Sequence, residues 1–324
     1  MQALVFDSPS LRYDTQYADP SPGKGEVLIG PTRMGICSTD LQLCKGYMGF
    51  AGVLGHEFVG VVEEAGDAKG KKWVGQRVVG SINCVCGRCD LCKSGLSSHC
   101  RERTVLGIQN RDGVFAQRFC LPSLNLFAVP DNLDDDQAVF AEPVAAAYQI
   151  LQQLTIEGRP YITVLGDGRL GLICAQVMSQ LNATVRCIGK HLEKLELCEK
   201  WGVKHRLLSD VGLRQDQDIV VDCTGSADGL TTAMAMVRPR GTIVMKTTVA
   251  TEADSQPVDL SPIVINELNV VGSRCGPFGV ALDALSSQKV DVISLISRRM
   301  KLADGVEAFK VAQRSDVIKV LLEP

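Results

Sequence analysis

Residues 161–181 read YITVLGDGRLGLICAQVMSQL, and they carry the clearest structural signal in the chain. An apolar strand-like run, YITVL, leads into a G-x-G-x-x-G pattern at Gly166, Gly168 and Gly171, and an apolar helical pattern follows. Glycines at these places allow a tight turn and let a pyrophosphate approach the N-terminus of the helix. The pattern alone is weak, but a strand before it and a helix after it favour a dinucleotide-binding unit.

Strand-like and helical segments alternate on both sides of this unit. The helical pattern PVAAAYQILQQL precedes it, and the runs TVRCIG, DIVVDCTG and GTIVMKT follow it with helical patterns between them. This alternation predicts an α/β fold with a doubly wound parallel sheet. The residues before this region contain short β-like runs, such as EVLIG and EFVGVVEEAG, punctuated by Gly, Pro, Asn and Asp. They predict an all-β, barrel-like unit.

The end of the second strand of the predicted sheet bears on the choice of cofactor. About 20 residues after the glycine pattern, an NAD-binding chain places an Asp or Glu that binds the ribose 2′-hydroxyl. Here Gly189 occupies that place, and Lys190 and His191 follow it. A small residue removes repulsion and two basic side chains attract a 2′-phosphate, so the sequence favours NADP(H). The alternative is a solvated Lys-His turn with relaxed cofactor choice.

Composition argues against several classes of function. The 324 residues are 45% hydrophobic with a net charge of −3, which disfavours a broad nucleic-acid or anionic-membrane surface. No apolar run approaches the roughly 20 residues of a membrane span, and the first residues show no secretory signal pattern. The 13 cysteines then point to a reducing compartment, so we expect a cytoplasmic protein whose clustered cysteines bind metal or do chemistry.

Five of those cysteines crowd residues 84–100, CVCGRCDLCKSGLSSHC. Cys86, Cys89, Cys92 and Cys100 are spaced C-x2-C-x2-C-x7-C, and the short gaps let successive thiolates reach one ion while glycines allow the backbone to turn. Four thiolates suit a closed, structural zinc site. An iron–sulfur cluster or a metal-free lobe is the alternative.

Two further glycine-flanked stretches hold a cysteine and a histidine. GICSTD spans residues 35–40, and GHEFVGVVEEAG spans residues 55–66. Cys37 and His56 are ligands of the kind that zinc accepts, and they can meet in a β-rich domain. Taken singly, a lone histidine at the start of a strand is more often a packed or surface residue than a ligand.

Four motifs, taken in their order along the chain, resemble those of the zinc-dependent medium-chain dehydrogenase/reductase superfamily, the alcohol and polyol dehydrogenases. GICSTD is similar to its G-x-C-x-[ST]-D motif and GHE-x2-G-x5-G to its zinc signature. Residues 84–100 resemble its structural-zinc loop, and VLGDGRLG resembles its nucleotide loop. The resemblance covers essentially the whole chain. It implies a GroES-like β-barrel catalytic domain, residues 1–143 and 273–324, and a Rossmann cofactor domain, residues 144–272.

The resemblance also implies the ligands of a second, catalytic zinc. Cys37 and His56 correspond to the first two ligands, and Glu142 in FAEPVAAA corresponds to the third. Glu57 corresponds to a second carboxylate beside the metal. Glu142 has an alternative role as a residue that stabilises a helix N-terminus. Three ligands with an open position are the layout of a zinc that activates a substrate oxygen as a Lewis acid.

Further roles follow from the same resemblance. Asp40 would orient His56, and Thr39 would take the proton from the alcohol, unless it is only a turn residue. The cofactor would be bound by the glycine loop, by the end of the second strand and by a later strand end. An arginine would reach its phosphates; the alternative is that this arginine lies on the surface without a binding role. These positions are Gly166, Asp167, Gly168, Arg169, Leu170, Gly171, Gly189, Lys190, His191, Cys223, Thr224 and Arg274.

These features predict an oxidoreductase that transfers a hydride between an alcohol or polyol, or the corresponding ketone or aldehyde, and a nicotinamide cofactor. We expect two zinc ions per chain, NADP(H) over NAD(H), a small-molecule substrate and a homodimer or homotetramer. No nucleic-acid or membrane partner is expected. The alternatives are a catalytically altered NADP-binding sensor or scaffold, and a nucleic-acid-binding protein built around the cysteine lobe, which salt-sensitive DNA binding would reveal.

Overall fold

A computed structural model describes residues 1–248 and 258–324 of the chain. Within them the chain divides into two compact units, Met1–Glu142 with Ile296–Pro324, and Pro143–Leu295. Among the described residues, no helix has both the length and the apolar character needed to cross a bilayer.

The described residues form the following strands and helices, numbered in chain order. The strands are β1 (Ala3–Asp7), β2 (Ser10–Asp14), β3 (Glu26–Gly35), β4 (Gly52–Val53), β5 (Glu57–Ala65), β6 (Arg77–Gly80), β7 (Asn83–Cys84), β8 (Thr104–Val105), β9 (Phe119–Pro122), β10 (Leu126–Ala128), β11 (Tyr161–Leu165), β12 (Thr184–Gly189), β13 (Lys204–Leu207), β14 (Gln217–Asp222), β15 (Val237–Met245), β16 (Asn269–Gly272), β17 (Ile296–Lys301) and β18 (Lys319–Glu323). The helices are α1 (Ser38–Leu43), α2 (Asp90–Lys93), α3 (Asp135–Ala138), α4 (Ala141–Gln153), α5 (Arg169–Ser179), α6 (Leu192–Leu195), α7 (Leu197–Lys200), α8 (Asp228–Met236), α9 (Ser261–Ile265), α10 (Phe278–Ser286) and α11 (Gly305–Ala312).

The first unit is rich in strands, as the turn-punctuated sequence predicts. Its largest sheet has the order β10-β6-β5-β3-β18-β17, with β9 also pairing with β3. The last strand of the chain, β18, returns to pair antiparallel with β3 at Met34 and Gly35. This pairing brings the end of the chain next to the GICSTD stretch that follows β3.

The second unit contains a six-stranded parallel sheet in the order β13-β12-β11-β14-β15-β16. Counted within this unit, the strand order is 3-2-1-4-5-6, the order of doubly wound dinucleotide-binding sheets, so the predicted fold class is confirmed. Val164, Val220 and Val244 are fully buried, as expected for strands that are covered on both faces. In such a sheet, ligands bind at the carboxyl ends of the strands.

The point at which the chain returns to the first unit differs from the sequence-based division. Residue 273 was expected to begin that return, whereas the structure places it at Ile296. Long-range hydrogen bonds account for the difference. The Asp291 amide donates to Gln176 Oε1 at 2.7 Å, and Gln176 Nε2 donates to Asp291 O at 3.0 Å. The Trp201 indole also donates to Asp291 Oδ2 at 3.1 Å, so the segment after α10 remains bound to the α5 and α7 region.

Candidate active site

The pairing of β3 with β5 brings a cysteine, a histidine and a glutamate together. Gly35, at the end of β3, lies opposite Glu57, at the start of β5. Cys37 follows Gly35 closely and precedes α1, while His56 immediately precedes β5. One possible ligand atom from each of Cys37, His56 and Glu57 lies within 4.8 Å of the others. The local register of two antiparallel strands therefore assembles this group from two distant sequence motifs.

Asp40 fixes the orientation of His56. Its Oδ1 lies 3.1 Å from His56 Nδ1, and its Oδ2 accepts a hydrogen bond from the Cys37 amide at 2.8 Å. The contact with Nδ1 leaves Nε2 on the other side of the ring as the metal-binding nitrogen. Burial opposes charge on the imidazole, but the Asp40 carboxylate and Cys37 outweigh it, so the pKa of His56 is raised. One buried carboxylate thus positions both the histidine and the backbone of the cysteine.

Glu57 is half of a buried ion pair that the sequence motifs do not reveal. Its Oε2 accepts from the Lys319 ammonium, and both side chains have 0% exposure. Lys319 also donates to the carbonyl of Ile36 at 3.1 Å. A Cβ on Gly35 would lie only 2.5 Å from Glu57 Oε2, which explains why glycine ends β3.

The other oxygen of Glu57 tests whether a metal fits this group. Glu57 Oε1 is buried and has no hydrogen-bond partner. An unsatisfied buried carboxylate oxygen is costly, and a cation would satisfy it. A thiolate, an imidazole and a carboxylate are also the donor types that zinc takes in catalytic sites. The residues present therefore fit a zinc ion.

Thr39 and Glu142 have different relations to this group. The Thr39 hydroxyl lies 3.7 Å from Cys37 Sγ, at the edge of the group, and the residue is half-buried. Glu142 lies in the first turn of α4, also half-buried, and is not among the three residues that gather within 4.8 Å. The carboxylate that the structure brings to Cys37 and His56 is therefore that of Glu57.

Four cysteines form a second group in residues 84–100. One ligand atom from each of Cys86, Cys89, Cys92 and Cys100 lies within 4.8 Å of the others. The sulfur of Cys100 is 3.5 Å from that of Cys86 and 3.9 Å from that of Cys89. Backbone N–H groups of Arg101 and Cys92 lower the pKa of Cys89 to about 6, which favours the thiolate that binds metal. Cys84 is buried but does not belong to the group.

The glycine loop connects β11 to α5. Gly166 has a φ of 110°, a conformation that favours glycine, and its amide donates to the carbonyl of Ile188 at 2.7 Å. Gly168 directly precedes α5, whose first residues are the buried Arg169 and the half-buried Leu170. A Cβ on Gly171 would overlap the carbonyl oxygen of Gly166. The loop therefore has the close packing that a bound pyrophosphate requires.

The end of β12 is occupied by a carboxylate from the glycine loop. Asp167 is buried, and its Oδ2 accepts hydrogen bonds from the amides of Lys190 and His191, both at 2.6 Å. Gly189 lies directly against the Asp167 side chain. Gly189 occupies the position where NAD-binding chains place an acid, and the structure places an acid from a different strand end beside it.

Later strand ends contribute the remaining predicted positions. Cys223 is buried, and its amide donates to Leu165 O at 2.8 Å; the exposed Thr224 donates its hydroxyl to Asp222 Oδ1 at 2.7 Å. Arg274 is exposed, and its carbonyl accepts from Lys246 Nζ at 3.1 Å. All of these residues follow the carboxyl ends of sheet strands.

Two lysines in these regions were missed by the sequence analysis. Lys246, just after β15, is buried and also donates to the carbonyl of Ala146 at 2.6 Å and to Ser273 Oγ at 3.1 Å. Lys319 pairs with Glu57 as described above. Each is a lone charged residue in an otherwise apolar run, GTIVMKT and VIKVLL, and that isolation is the signal that points to a buried partner.

Comparison with known proteins adds a family context. The sequence model of the alcohol dehydrogenase GroES-like domain matches residues 23–131, and that of the zinc-binding dehydrogenase domain matches residues 170–287. The chain is 30% identical to an L-threonine 3-dehydrogenase from Streptomyces avermitilis over 100% of this chain and 99% of the relative. It is 28% identical to a sorbitol dehydrogenase from Halalkalibacterium halodurans over 94% of each chain.

Solved structures with bound cofactor are similar over the full length. A zinc-binding dehydrogenase from Sinorhizobium meliloti bound to NADP has a TM-score of 0.87 and 29% identity, covering 100% of this chain and 99% of that one. An alcohol dehydrogenase from Escherichia coli complexed with NADH has a TM-score of 0.88 and 25% identity, with the same coverage. Similar structures are therefore known with each of the two nicotinamide cofactors.

Proposed function

Because the chain belongs to the zinc-dependent medium-chain dehydrogenase/reductase superfamily, we propose that it transfers a hydride between a secondary alcohol or polyol and NADP(H). One observation carries this proposal. Cys37, His56 and Glu57 converge within 4.8 Å, and Glu57 brings to them a buried oxygen without a hydrogen-bond partner. A zinc held there supplies Lewis-acid activation of the alcohol oxygen.

The residues of this group have distinct roles in the proposed reaction. Cys37 and His56 hold the metal, and Asp40 keeps His56 Nε2 directed to it through the 3.1 Å contact with Nδ1. Glu142 is proposed as the third ligand by resemblance to the polyol dehydrogenases. Glu57 is proposed as the second carboxylate, since Lys319 already holds its Oε2. Thr39, which lies 3.7 Å from the Cys37 sulfur, takes the proton of the substrate hydroxyl and passes its own hydroxyl proton on to the cofactor ribose or water.

The cofactor is proposed to lie along the carboxyl edge of the parallel sheet. Gly166–Gly171 would bind the pyrophosphate, while Cys223 and Thr224 would line the nicotinamide side and Arg274 would reach the phosphates. NADP(H) is favoured because Gly189 contributes no charge and Lys190 and His191 are basic. The NADP-bound Sinorhizobium meliloti structure supports this choice, although NADH is bound in the Escherichia coli structure.

A second zinc is proposed for Cys86, Cys89, Cys92 and Cys100. Four sulfurs in a closed group provide a complete tetrahedral ligand set, with no position for a substrate. We therefore assign this ion to the stability of the residue 84–100 lobe, and two zinc ions to each chain.

The names of the relatives support the proposed substrate class. They include a sorbitol dehydrogenase, an L-threonine 3-dehydrogenase and a D-xylulose reductase. Sorbitol, threonine and xylulose each carry a secondary alcohol, so we propose a secondary alcohol or polyol, or the corresponding ketone, as the substrate.

A substrate screen tests the proposed function. Reduction of NADP⁺ would be followed across a panel of secondary alcohols and polyols, with the wild-type protein and Cys37→Ser side by side. Turnover by the wild type, lost in Cys37→Ser and after removal of zinc by a chelator, is the expected result. Cofactor binding without turnover of any alcohol, polyol or carbonyl compound would instead identify a sensor or scaffold.

The chain is also proposed to form a homo-oligomer through the edge of its parallel sheet. Among the described strands, β16 is the last of the sheet, and edge strands are prone to pair with another chain. The adjacent α9 exposes Val264 at 80% and Ile265 at 76%. A second copy that covers these side chains would remove apolar surface from water. Light scattering of Val264→Glu should show a smaller particle than the wild type, and an unchanged mass would reject this interface.

A further inference from the structure

Asp167 makes contacts that the glycine pattern does not require. Its Oδ2 accepts from the amides of Lys190 and His191, both at 2.6 Å. His191 Nδ1 lies 3.1 Å from Oδ2 and 3.2 Å from Oδ1. The parallel pairing of β11 with β12 sets Leu165 opposite Ile188, so the loops after these strands meet. Asp167 therefore holds together the two loops that flank the expected adenosine end of the cofactor.

Gly189 and Asp167 depend on each other. A Cβ added to Gly189 would overlap the Cβ, Cγ and Oδ2 atoms of Asp167. The conventional Asp or Glu at the end of this strand, which binds the ribose 2′-hydroxyl of NAD, therefore cannot coexist with Asp167 in its present position. The small residue at 189 is a steric consequence of the carboxylate at 167.

The position of the Asp167 carboxylate shows whether it binds a ribose or holds the turn at Lys190 and His191. An acid that binds a ribose must present an oxygen to the ligand, whereas the Asp167 side chain is only 11% exposed. Both of its oxygens face the turn of Lys190 and His191. Its charge is thus directed to two amides and an imidazole of the protein, and these charge-assisted hydrogen bonds are stronger than neutral ones.

The turn that Asp167 holds presents the basic groups outward. Lys190 is exposed, and the His191 side chain is 35% exposed. Because His191 Nδ1 faces Asp167, Nε2 lies on the opposite side of the ring. The imidazole is therefore held in one orientation, with one nitrogen on the carboxylate and the other directed away from it.

We propose that Asp167 is the positioning residue for NADP(H) selectivity: it excludes the ribose-binding acid at Gly189 and fixes Lys190 and His191 for the 2′-phosphate. The inference rests on the proposed cofactor site and extends it to the residue that builds its phosphate end. Asp167 acts through the turn and does not itself touch the phosphate.

Direct binding measurements test this role independently of catalysis. The dissociation constants of NADPH and NADH would be measured by nicotinamide fluorescence for the wild type, Asp167→Asn, His191→Ala and the double variant. In Asp167→Asn the preference for NADPH, the ratio of the two constants, should fall about tenfold, as expected for loss of a charged hydrogen-bond acceptor. In the His191→Ala background the same change should lower the ratio by a smaller factor than in the wild type, since only Lys190 remains for Asp167 to position.

Two further variants separate selectivity from stability. Gly189→Ala keeps Asp167 but displaces its carboxylate from the other side, so it should lower the NADPH preference as Asp167→Asn does. Asp222→Asn is the matched control, because Asp222 is also a buried carboxylate at a strand end, accepting from the Thr224 amide at 2.9 Å and hydroxyl at 2.7 Å. It should change both constants by the same factor and leave the ratio unaltered.

Opposite outcomes would overturn the inference. A NADPH preference that is unchanged or increased in both Asp167→Asn and Gly189→Ala would show that Asp167 does not build the phosphate end of the site. A wild-type protein that binds neither NADPH nor NADH would be a different failure, since it would reject the proposed cofactor site itself.

Discussion

Lys319→Met should be among the most destabilising single substitutions in the first unit. It removes the ammonium that faces Glu57 and leaves a carboxylate at 0% exposure without its counter-ion. Breaking a buried pair by removing one partner costs about 3–5 kcal/mol, because the remaining charge is uncompensated. At about 2–4 °C per kcal/mol for a domain of this size, the melting temperature should fall by about 6–20 °C.

The surroundings of Lys319 explain why little else can compensate. Its Nζ donates to the Ile36 carbonyl at 3.1 Å and lies 5.4 Å from the centre of the Phe140 ring. Methionine has similar length but cannot donate to either oxygen acceptor. The buried carboxylate of Glu57 would then lose the ammonium on Oε2, while Oε1 already has no hydrogen-bond partner.

A double-mutant cycle measures the pair directly. Calorimetry would compare Lys319→Met, Glu57→Met and the double variant at one fixed free-zinc concentration, because bound metal stabilises the native state by mass action. The loss in the double variant should be smaller than the sum of the two single losses, by a coupling energy of about 0.5–3 kcal/mol. Arg88→Met is the control, since its pair with Glu102 at 2.9 Å is exposed and should not affect the melting temperature.

Two results would show that Lys319 and Glu57 do not stabilise each other. One is a melting temperature for Lys319→Met that matches that of Arg88→Met. The other is a double variant whose loss equals the sum of the two single losses, because additivity would mean that the two side chains do not interact.

Three further predictions concern the metal groups and the glycine loop. Cys100→Ser should lower the zinc content by about one ion per chain in metal analysis, whereas Cys84→Ser, outside the four-cysteine group, should leave it unchanged. Gly171→Ala should lower both the melting temperature and NADPH affinity, because its Cβ overlaps backbone; Gly168→Ala, with open space around the added carbon, should lower only the affinity. Asp40→Asn should weaken zinc binding about 10–100-fold in a chelator competition, since it loosens the orientation of a ligand, and unchanged affinity would contradict that role.

Local patterns predict the second unit well. The strand β11, the glycine turn and α5 follow from consecutive residues, and the apolar runs of β12, β14 and β15 identify strands that are buried on both faces. These signals lie within short, continuous segments of the sequence. Partners far apart in sequence do not, and the end of the unit at Leu295 is an example. It depends on hydrogen bonds between Asp291 and Gln176, which no local pattern contains.

The same distinction holds for the candidate sites. The four cysteines of residues 84–100 and the pair of Cys37 and His56 were predicted from spacing and resemblance. The proximity of Glu57 to Lys319 depends on the antiparallel pairing of β18 with β3, strands that lie far apart in the sequence. The contact of Asp167 with Gly189 likewise depends on the parallel pairing of β11 with β12, and neither residue reveals it alone.

Transfer of a labelled hydride from substrate to cofactor would demonstrate the proposed reaction itself. A secondary alcohol from the substrate screen, deuterated at its carbinol carbon, would be incubated with NADP⁺ and the zinc-loaded protein, and the reduced cofactor would be analysed by mass spectrometry. We expect deuterium in the reduced cofactor with the wild type, and none with Cys37→Ser or after chelation of the metal. Unlabelled reduced cofactor, or label transferred by Cys37→Ser at the wild-type rate, would contradict it.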